Sequence, residues 1–286
     1  MSVPRDAREL VALLDLETID DNLFRGAVQE SRLPRVFGGQ VAAQALVAAQ
    51  RTVDPAYAVH SLHAYFLQPG DTTTPIIYDA EPLRDGRSFA TRRVLARQHG
   101  RPIFALTADF HRPEPGREHQ SRMPDAPPPQ ECLDPTTMLR EGDRSWEEFE
   151  VADLRYVGSS HDLLPPDPEH PGRQRLWLRV REQLPEDPFL HVAAFTYLSD
   201  MSLMGAALSP HGLRLGSRGT LVASLDHAVW FHRPFRADQW WLYDQVSPAA
   251  QGGRGLVNAQ VFTPDGTLVA SVAQEALLRP VEKETT

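Results

Sequence analysis

Three polar residues interrupt segments that are otherwise apolar, and any chemistry this chain performs is most easily placed there. Asp200 stands in Thr196-Tyr197-Leu198-Ser199-Asp200-Met201-Ser202-Leu203-Met204, the most hydrophobic helical stretch of the chain. Ser224 interrupts Leu221-Val222-Ala223-Ser224-Leu225, and Gln274 interrupts the run from Leu268 to Glu275. A carboxylate among apolar side chains is costly unless it is hydrogen-bonded, and such sites suit acid–base work. The other reading is that Asp200 or Ser199 caps a helix beginning there. Taken singly, Ser224 and Gln274 read as structural hydrogen-bonding or edge-strand residues. Their combination with Asp200 is what suggests a site.

Other chemistries find no support. The chain has no Gly-x-Ser-x-Gly nucleophile elbow, no P-loop and no dinucleotide fingerprint. His60 and His63 are three apart in a strand-like segment and therefore point to opposite faces, so they are poorly placed to share a metal ion. His227 and His232, five apart in another such segment, fail in the same way. No metal site and no cofactor are expected.

The composition narrows the class further. With 286 residues, 41% hydrophobic and 23% charged, the chain has material for a large core or two cooperating ones. Its 29 basic and 38 acidic residues give a net charge of −9, which is not the footprint of a nucleic-acid-binding protein. Cys132 is the only cysteine, so an intramolecular disulfide framework and a cysteine zinc site are excluded and a reducing cytoplasm fits. The amphipathic stretch from Glu9 to Leu16 is broken by charge and is no secretory signal. No run is long and apolar enough to suggest a membrane span.

The elements that must position these residues occur twice. Gly38-Gly39-Gln40 opens an apolar run through Ala49 that suits a helix buried all round. Strand-like segments follow at Val59 to Leu67, Ile76 to Leu83, Ser88 to Gln98 and Arg101 to Phe110. In the second half the apolar helical stretch Asp187 to Leu208 precedes Leu221 to His232, Trp240 to Ser247, Leu256 to Thr263 and Thr267 to Leu278. Tyr78-Asp79 matches Tyr243-Asp244 at an offset of 165, the Gly100 turn matches Gly266 at 166, and His63-Ala64-Tyr65-Phe66 echoes His227-Ala228-Val229-Trp230. The pattern predicts an α+β protein of two units, each a curved antiparallel sheet around a central helix. The repeats are expected at 1–112 and 146–286, joined over 113–145 by a proline-rich extended connector without regular structure. A second proline cluster, Pro165, Pro166, Pro168 and Pro171, reads as a loop inside the second unit.

The duplication supplies its own comparison. Ser224 falls on Val59, Gln274 on Ala108 or Asp109, and Asp200 on Gln40 at an offset of 160. The polar set therefore exists in one half only, whereas a purely structural role would more naturally recur in both.

At these residues the sequence also resembles the acyl-CoA thioesterase II family. The resemblance is carried by Val36-Phe37-Gly38-Gly39-Gln40, by His60 to Asp71, by Leu83 to Phe89, by Leu225 to Pro234 and by Val269 to Glu275, and it extends from Asn22 to Arg279. It implies a double hot-dog fold and hydrolysis of acyl-CoA by an Asp, a Thr or Ser, and a Gln, roles that fall on Asp200, Ser224 and Gln274. Ser224 departs from the family's threonine but keeps the hydroxyl, on a side chain freer about χ1. The expected partners are an acyl-CoA substrate and further copies of this chain in a homo-oligomer, with neither nucleic acid nor stable membrane insertion. Arg254, in Gln251-Gly252-Gly253-Arg254-Gly255, is a candidate for a coenzyme A phosphate or else a solvated turn arginine. Amides at Gly38-Gly39 are candidates for oxyanion donors or else serve close packing. Two alternatives compete: an enoyl-CoA hydratase, which would pair an Asp with a His, and a non-catalytic acyl-CoA-binding protein.

The asymmetry makes a prediction. Gln40→Ala should change stability or substrate affinity more than the chemical step. A fall in single-turnover rate matching that of Asp200→Asn would contradict it.

Overall fold

The computed structural model describes residues 3–28, 31, 33–138, 150–157, 171–217 and 219–281. After α1 (Ala7–Leu14) and the short strands β1 (Glu17–Asp20) and β2 (Leu23–Gly26), the first unit runs α2 (Gly38–Gln50), β3 (Ala58–Phe66), β4 (Ile76–Asp85), β5 (Phe89–Gln98) and β6 (Arg101–His111). The second comprises β7 (Ala152–Tyr156), β8 (Arg173–Val180), α3 (Pro188–Ser199), α4 (Leu203–Leu208), β9 (Thr220–Ser224), β10 (Asp226–Phe231), β11 (Trp241–Gln251), β12 (Arg254–Phe262) and β13 (Leu268–Pro280). The strands form one sheet in the order β1-β2-β4-β5-β6-β3-β10-β13-β12-β11-β8-β7, with β9 also paired to β13. The two runs meet where β3 pairs antiparallel with β10, in a register that sets Leu62 opposite Val229 and Ala64 opposite His227. One end of the sheet curls around α2 and the other around α4, which is the double hot-dog arrangement. Among the described residues no helix is long and apolar enough to cross a membrane.

The central helix of the first unit follows from its sequence. Gly38–Gln50 carries small or apolar residues on almost every face, and all but its ends are buried. The second unit departs from the continuous helical stretch Asp187 to Leu208. Asp187 caps α3 through a bond from Phe189 N at 2.9 Å, but the helix ends at Ser199, and Asp200 to Ser202 form a break before α4. Polar side chains compete for the backbone there, since Ser199 Oγ donates to Thr196 O at 2.9 Å. The sheet therefore wraps the short α4, while α3 packs against α2.

The stretch Leu221 to His232 is likewise divided, at Leu225. Its N–H donates to Glu275 O and its carbonyl accepts from Phe66 N, both at 2.9 Å, so this one residue stitches β13 to β3. The echo of His63 in His227 proves one residue out of register. Tyr78 and Tyr243 are equivalent buried residues, and the same offset of 165 sets His227 on Leu62; both are fully buried, whereas His63 is exposed. A slip of one residue in a strand exchanges its faces.

The connector is more ordered than expected. Residues 113–138 run extended across the outer face of the second unit, with short 3-10 turns at Pro129–Glu131 and Pro135–Met138. Gln120 bridges Gly266 O and Leu268 N, and Trp177 Nε1 donates to Pro127 O at 2.8 Å. Met123, Ala126 and Cys132 cover Trp177, Leu242, Phe262 and Leu268. Prolines rule out a ladder of their own, but their carbonyls and rings still serve as acceptors and cover. Pro165, Pro166 and Pro168 lie outside the described residues.

Close approach of α2 and α3 yields a stability prediction. A methyl group at Gly39 would stand 2.2 Å from Tyr197 O, whereas one at Gly116 would meet nothing within 4 Å. Gly39→Ala should lower stability by about 1–3 kcal/mol or prevent folding despite alanine's better helix propensity. Gly116→Ala should be neutral. Thermal melts of the two variants check the contrast.

Candidate active site

Asp200 ends α3 and is 4% exposed, facing the start of α2 from the other unit. Its Oδ1 accepts two side-chain donors, Gln274 Nε2 at 2.5 Å and Ser224 Oγ at 3.0 Å. The break at Leu225 ends β9 on Ser224, which lies opposite Ala276 of β13, and this places the hydroxyl toward the helix break. Gln274 comes from the middle of β13 and is buried, as is Ala108 in the first unit; Asp109 lies on the other face. Ala108 is therefore its structural counterpart. The Oε1 of Gln274 is buried without a hydrogen-bond partner among the described residues. A carboxylate with two converging neutral donors and an adjacent acceptor is suited to hold and deprotonate a small protic molecule.

The first unit contributes backbone and charge. A methyl group at Gly38 would lie 2.5 Å from Asp200 Oδ2 and 2.7 Å from the Phe66 ring, so only glycine allows this approach. The Gly39 amide, in the uncapped first turn of α2, favours the charged form of Asp200, as does the positive end of the helix dipole. Arg35 donates to Val222 O of β9 at 2.8 Å, and its charge also acts on Asp200. Burial outweighs these aids and raises the Asp200 pKa to about 6, while Gln274, Ser224, the Gly39 amide and Arg35 each pull it down.

The remaining sequence candidates are placed elsewhere. Arg254 ion-pairs with Glu275, Nε to Oε1 at 2.9 Å, at an exposed strand end. Gly255, next to it, faces α4, so Arg254 points away from the carboxylate. Gln40 is buried at the start of α2. His60 pairs with Asp109, His63 stacks edge-on against Trp230, and His232 bonds Ser271 Oγ. His227 Nε2 meets Ser199 Oγ at 2.8 Å, one residue before Asp200, and not the carboxylate. Sequence reasoning missed Arg35, and it placed the Gly38-Gly39 amides at an oxyanion and not beside the carboxylate. Arg35 stands just before the Val36-Phe37-Gly38-Gly39-Gln40 motif, the one signal that points to it.

Residues 166–277 match the family described as acyl-CoA thioesterase, and residues 30–111 match the acyl-CoA thioesterase N-terminal domain. Acyl-CoA thioesterase 2 of Haemophilus influenzae is 40% identical, with 94% of this chain and 96% of that protein aligned. The chain belongs to the acyl-CoA thioesterase II family. It is a thioester hydrolase. Human acyl-coenzyme A thioesterase 8 is 38% identical over 96% of this chain and 91% of its own length. The solved structure of an acyl-CoA thioesterase II from Mycobacterium marinum superimposes with a TM-score of 0.83 at 48% identity, covering 95% of this chain and 98% of that one.

The Asp200 environment fixes the sign of two pH effects. If the carboxylate must be ionised to act, kcat/KM falls tenfold per unit below about pH 6, and Arg35→Gln moves that limb upward by removing a favourable charge. The folded state binds the proton more tightly than the unfolded chain, so stability from this residue is lost as pH rises from 3.8 to about 6. Asp200→Asn should accordingly be stabilising at pH 8, by roughly 3 kcal/mol at most, and the gain should shrink toward pH 4. Melting temperatures across that range check the sign.

Proposed function

We propose that this thioesterase hydrolyses acyl-CoA to free acid and coenzyme A with a water activated by Asp200, Ser224 and Gln274. The observation that carries the reading is the convergence of Ser224 Oγ and Gln274 Nε2 on one oxygen of a buried carboxylate beneath the first turn of α2. In this scheme Asp200 removes a proton from the water, and the oxygen adds to the thioester carbonyl carbon. The negative charge gathers on the carbonyl oxygen, the carbon–sulfur bond breaks, and the proton goes to the departing thiolate. Ser224 and Gln274 fix the carboxylate and the water in line, and Gln274 Oε1, which has no hydrogen-bond partner among the described residues, is the acceptor available to the water's second proton. The oxyanion falls to the amides of Gly38-Gly39 at the positive end of α2.

The same reading takes 1–112 and 146–286 as the repeats, 113–145 as the connector, and the second repeat as the source of the acid–base groups. It needs no metal or redox cofactor, because a thioester is already reactive toward an oriented water. Arg254 drops to a secondary candidate for coenzyme A phosphates, given its ion pair and its direction. A cytoplasmic location accords with the single thiol of Cys132. Exposed Tyr65 and Trp230 on the outer face of the β3–β10 seam support a homo-oligomer.

Thiol release from octanoyl- to palmitoyl-CoA, with excess chelator, tests the activity. Metal-dependent turnover, or none at any length, would overturn it. Hydration of an enoyl-CoA without thiol release would favour the hydratase, and binding without turnover the non-catalytic alternative. Asp200→Asn should reduce single-turnover hydrolysis on the order of 10²- to 10⁴-fold. Ser224→Ala should reduce it roughly 5- to 150-fold, and Ser224→Thr should be tolerated. The double variant Asp200→Asn/Ser224→Ala should be little worse than Asp200→Asn, because the groups act as a unit. Near-normal turnover by Asp200→Asn with an inactive Ser224→Ala would point instead to Ser224 as nucleophile.

A further inference from the structure

The end of α3 lies inside the molecule, where its last carbonyls cannot be left to solvent. Ser199, the residue before Asp200, is held there by two fully buried side chains. Tyr243 Oη donates to Ser199 O at 3.0 Å, and His227 Nε2 lies 2.8 Å from Ser199 Oγ. Were Ser199 to donate to Nε2, the ring proton would sit on Nδ1, buried with no acceptor among the described residues, so the arrangement that orphans no N–H has the serine donate to Thr196 O and the imidazole donate to Ser199. His227 is therefore the Nε2–H tautomer and a donor to Ser199. Its Nδ1 is buried without a hydrogen-bond partner among the described residues, and burial lowers the ring's pKa to about 4, which keeps it neutral.

The fold does not require this histidine. The first unit has Leu62 at the equivalent position, equally buried, and its Tyr78 bonds a helix side chain, Gln44 Oε1 at 2.7 Å, and not a helix end. Among the described residues, the contacts from these two positions to a helix end appear in the unit that holds the buried carboxylate. We infer that His227 and Tyr243 are positioning residues that clamp Ser199, so that Asp200 is presented in fixed geometry to Ser224 and Gln274, with His227 serving as a neutral donor and not as a base. This rests on the proposed role of Asp200. It also accounts for a histidine one residue removed from the carboxylate that forms no Asp–His pair.

The experiment compares His227→Leu, which installs the first unit's residue, with His227→Gln, whose amide nitrogen can occupy the place of Nε2. Single-turnover hydrolysis of palmitoyl-CoA, KM and the pH–rate profile are measured for both, with Tyr243→Phe and Asp200→Asn alongside. His227→Leu should lose roughly 10- to 100-fold in rate, as expected for a displaced catalytic group, with KM changed less than about 3-fold. Its acid limb should move to higher pH as the donors to Asp200 loosen. His227→Gln should recover most of the rate and the normal limb, and Tyr243→Phe should resemble His227→Leu more mildly. Full activity in His227→Leu, or equal loss in Leu and Gln variants with an unmoved limb, would overturn the inference. If His227→Leu does not fold, Ser199→Ala, which removes the same bridge, must show the rate loss and limb shift, and unchanged kinetics there would be equally fatal. Should Asp200→Asn remain active, the failure lies in the role of Asp200; should it be inactive while His227→Leu is normal, only the clamp fails.

Discussion

One buried carboxylate sets the terms for the rest of the molecule. An ionised group withdrawn from water is tolerated only where donors and favourable dipoles surround it. Asp200 receives them from three separate places: Ser224 at the end of β9, Gln274 in β13, and the first turn of α2 in the other unit. These aids fall short of full compensation, so the pKa stands near 6, close to the range where a base is both ionised at neutral pH and able to accept a proton.

Meeting those terms dictates several local irregularities. The central helix of the second unit is interrupted at Asp200, the strand leading to β10 is interrupted at Leu225, and α2 begins on two glycines without a side-chain cap. Each would be a defect in an idealised hot-dog unit. Together they bring a helix end, a strand end and a helix start to one point. The first unit, with Gln40, Val59, Leu62 and Ala108 at the corresponding positions, keeps the helix continuous and the strand unbroken. The duplicated scaffold thus has one regular copy and one that departs from regularity around the buried carboxylate of Asp200.

The units depend on each other for more than cover. The seam between β3 and β10 makes the sheet continuous, and Leu225 shares its two backbone groups between the halves. Gly38, Gly39 and Arg35 from the first half stand against Asp200 and Val222 from the second. A hot-dog unit of either kind alone would lack part of the constellation.

How much of this was legible in the sequence varies with how local each signal is. Hydrophobic periodicity and turn residues located the strands from Ala58 to His111 and from Trp241 to Pro280 to within a few residues, because alternation is a property of the chain itself. The polar residues Asp200, Ser224 and Gln274 stood out because each is polar within an apolar segment, and repeat asymmetry singled out one half. The helix boundary at Ser199 and Asp200 was legible only as the alternative capping reading, with Asp200 in fact closing α3 and not opening α4; the split at Leu225 and the ordered course of 113–138 were not legible, since each exists only because a distant partner takes up the freed backbone groups: Glu275 and Phe66 for Leu225, and Trp177 for Pro127. The register of His227 was misread for the same reason, as only the pairing across the seam decides which face a strand residue occupies. The sequence by itself determined which residues are out of place in an apolar environment. Tertiary structure alone decided that three of them share one oxygen, with the amide of Gly39 and the charge of Arg35 beside them, because proximity across 74 residues of chain is a property of packing and leaves no local trace.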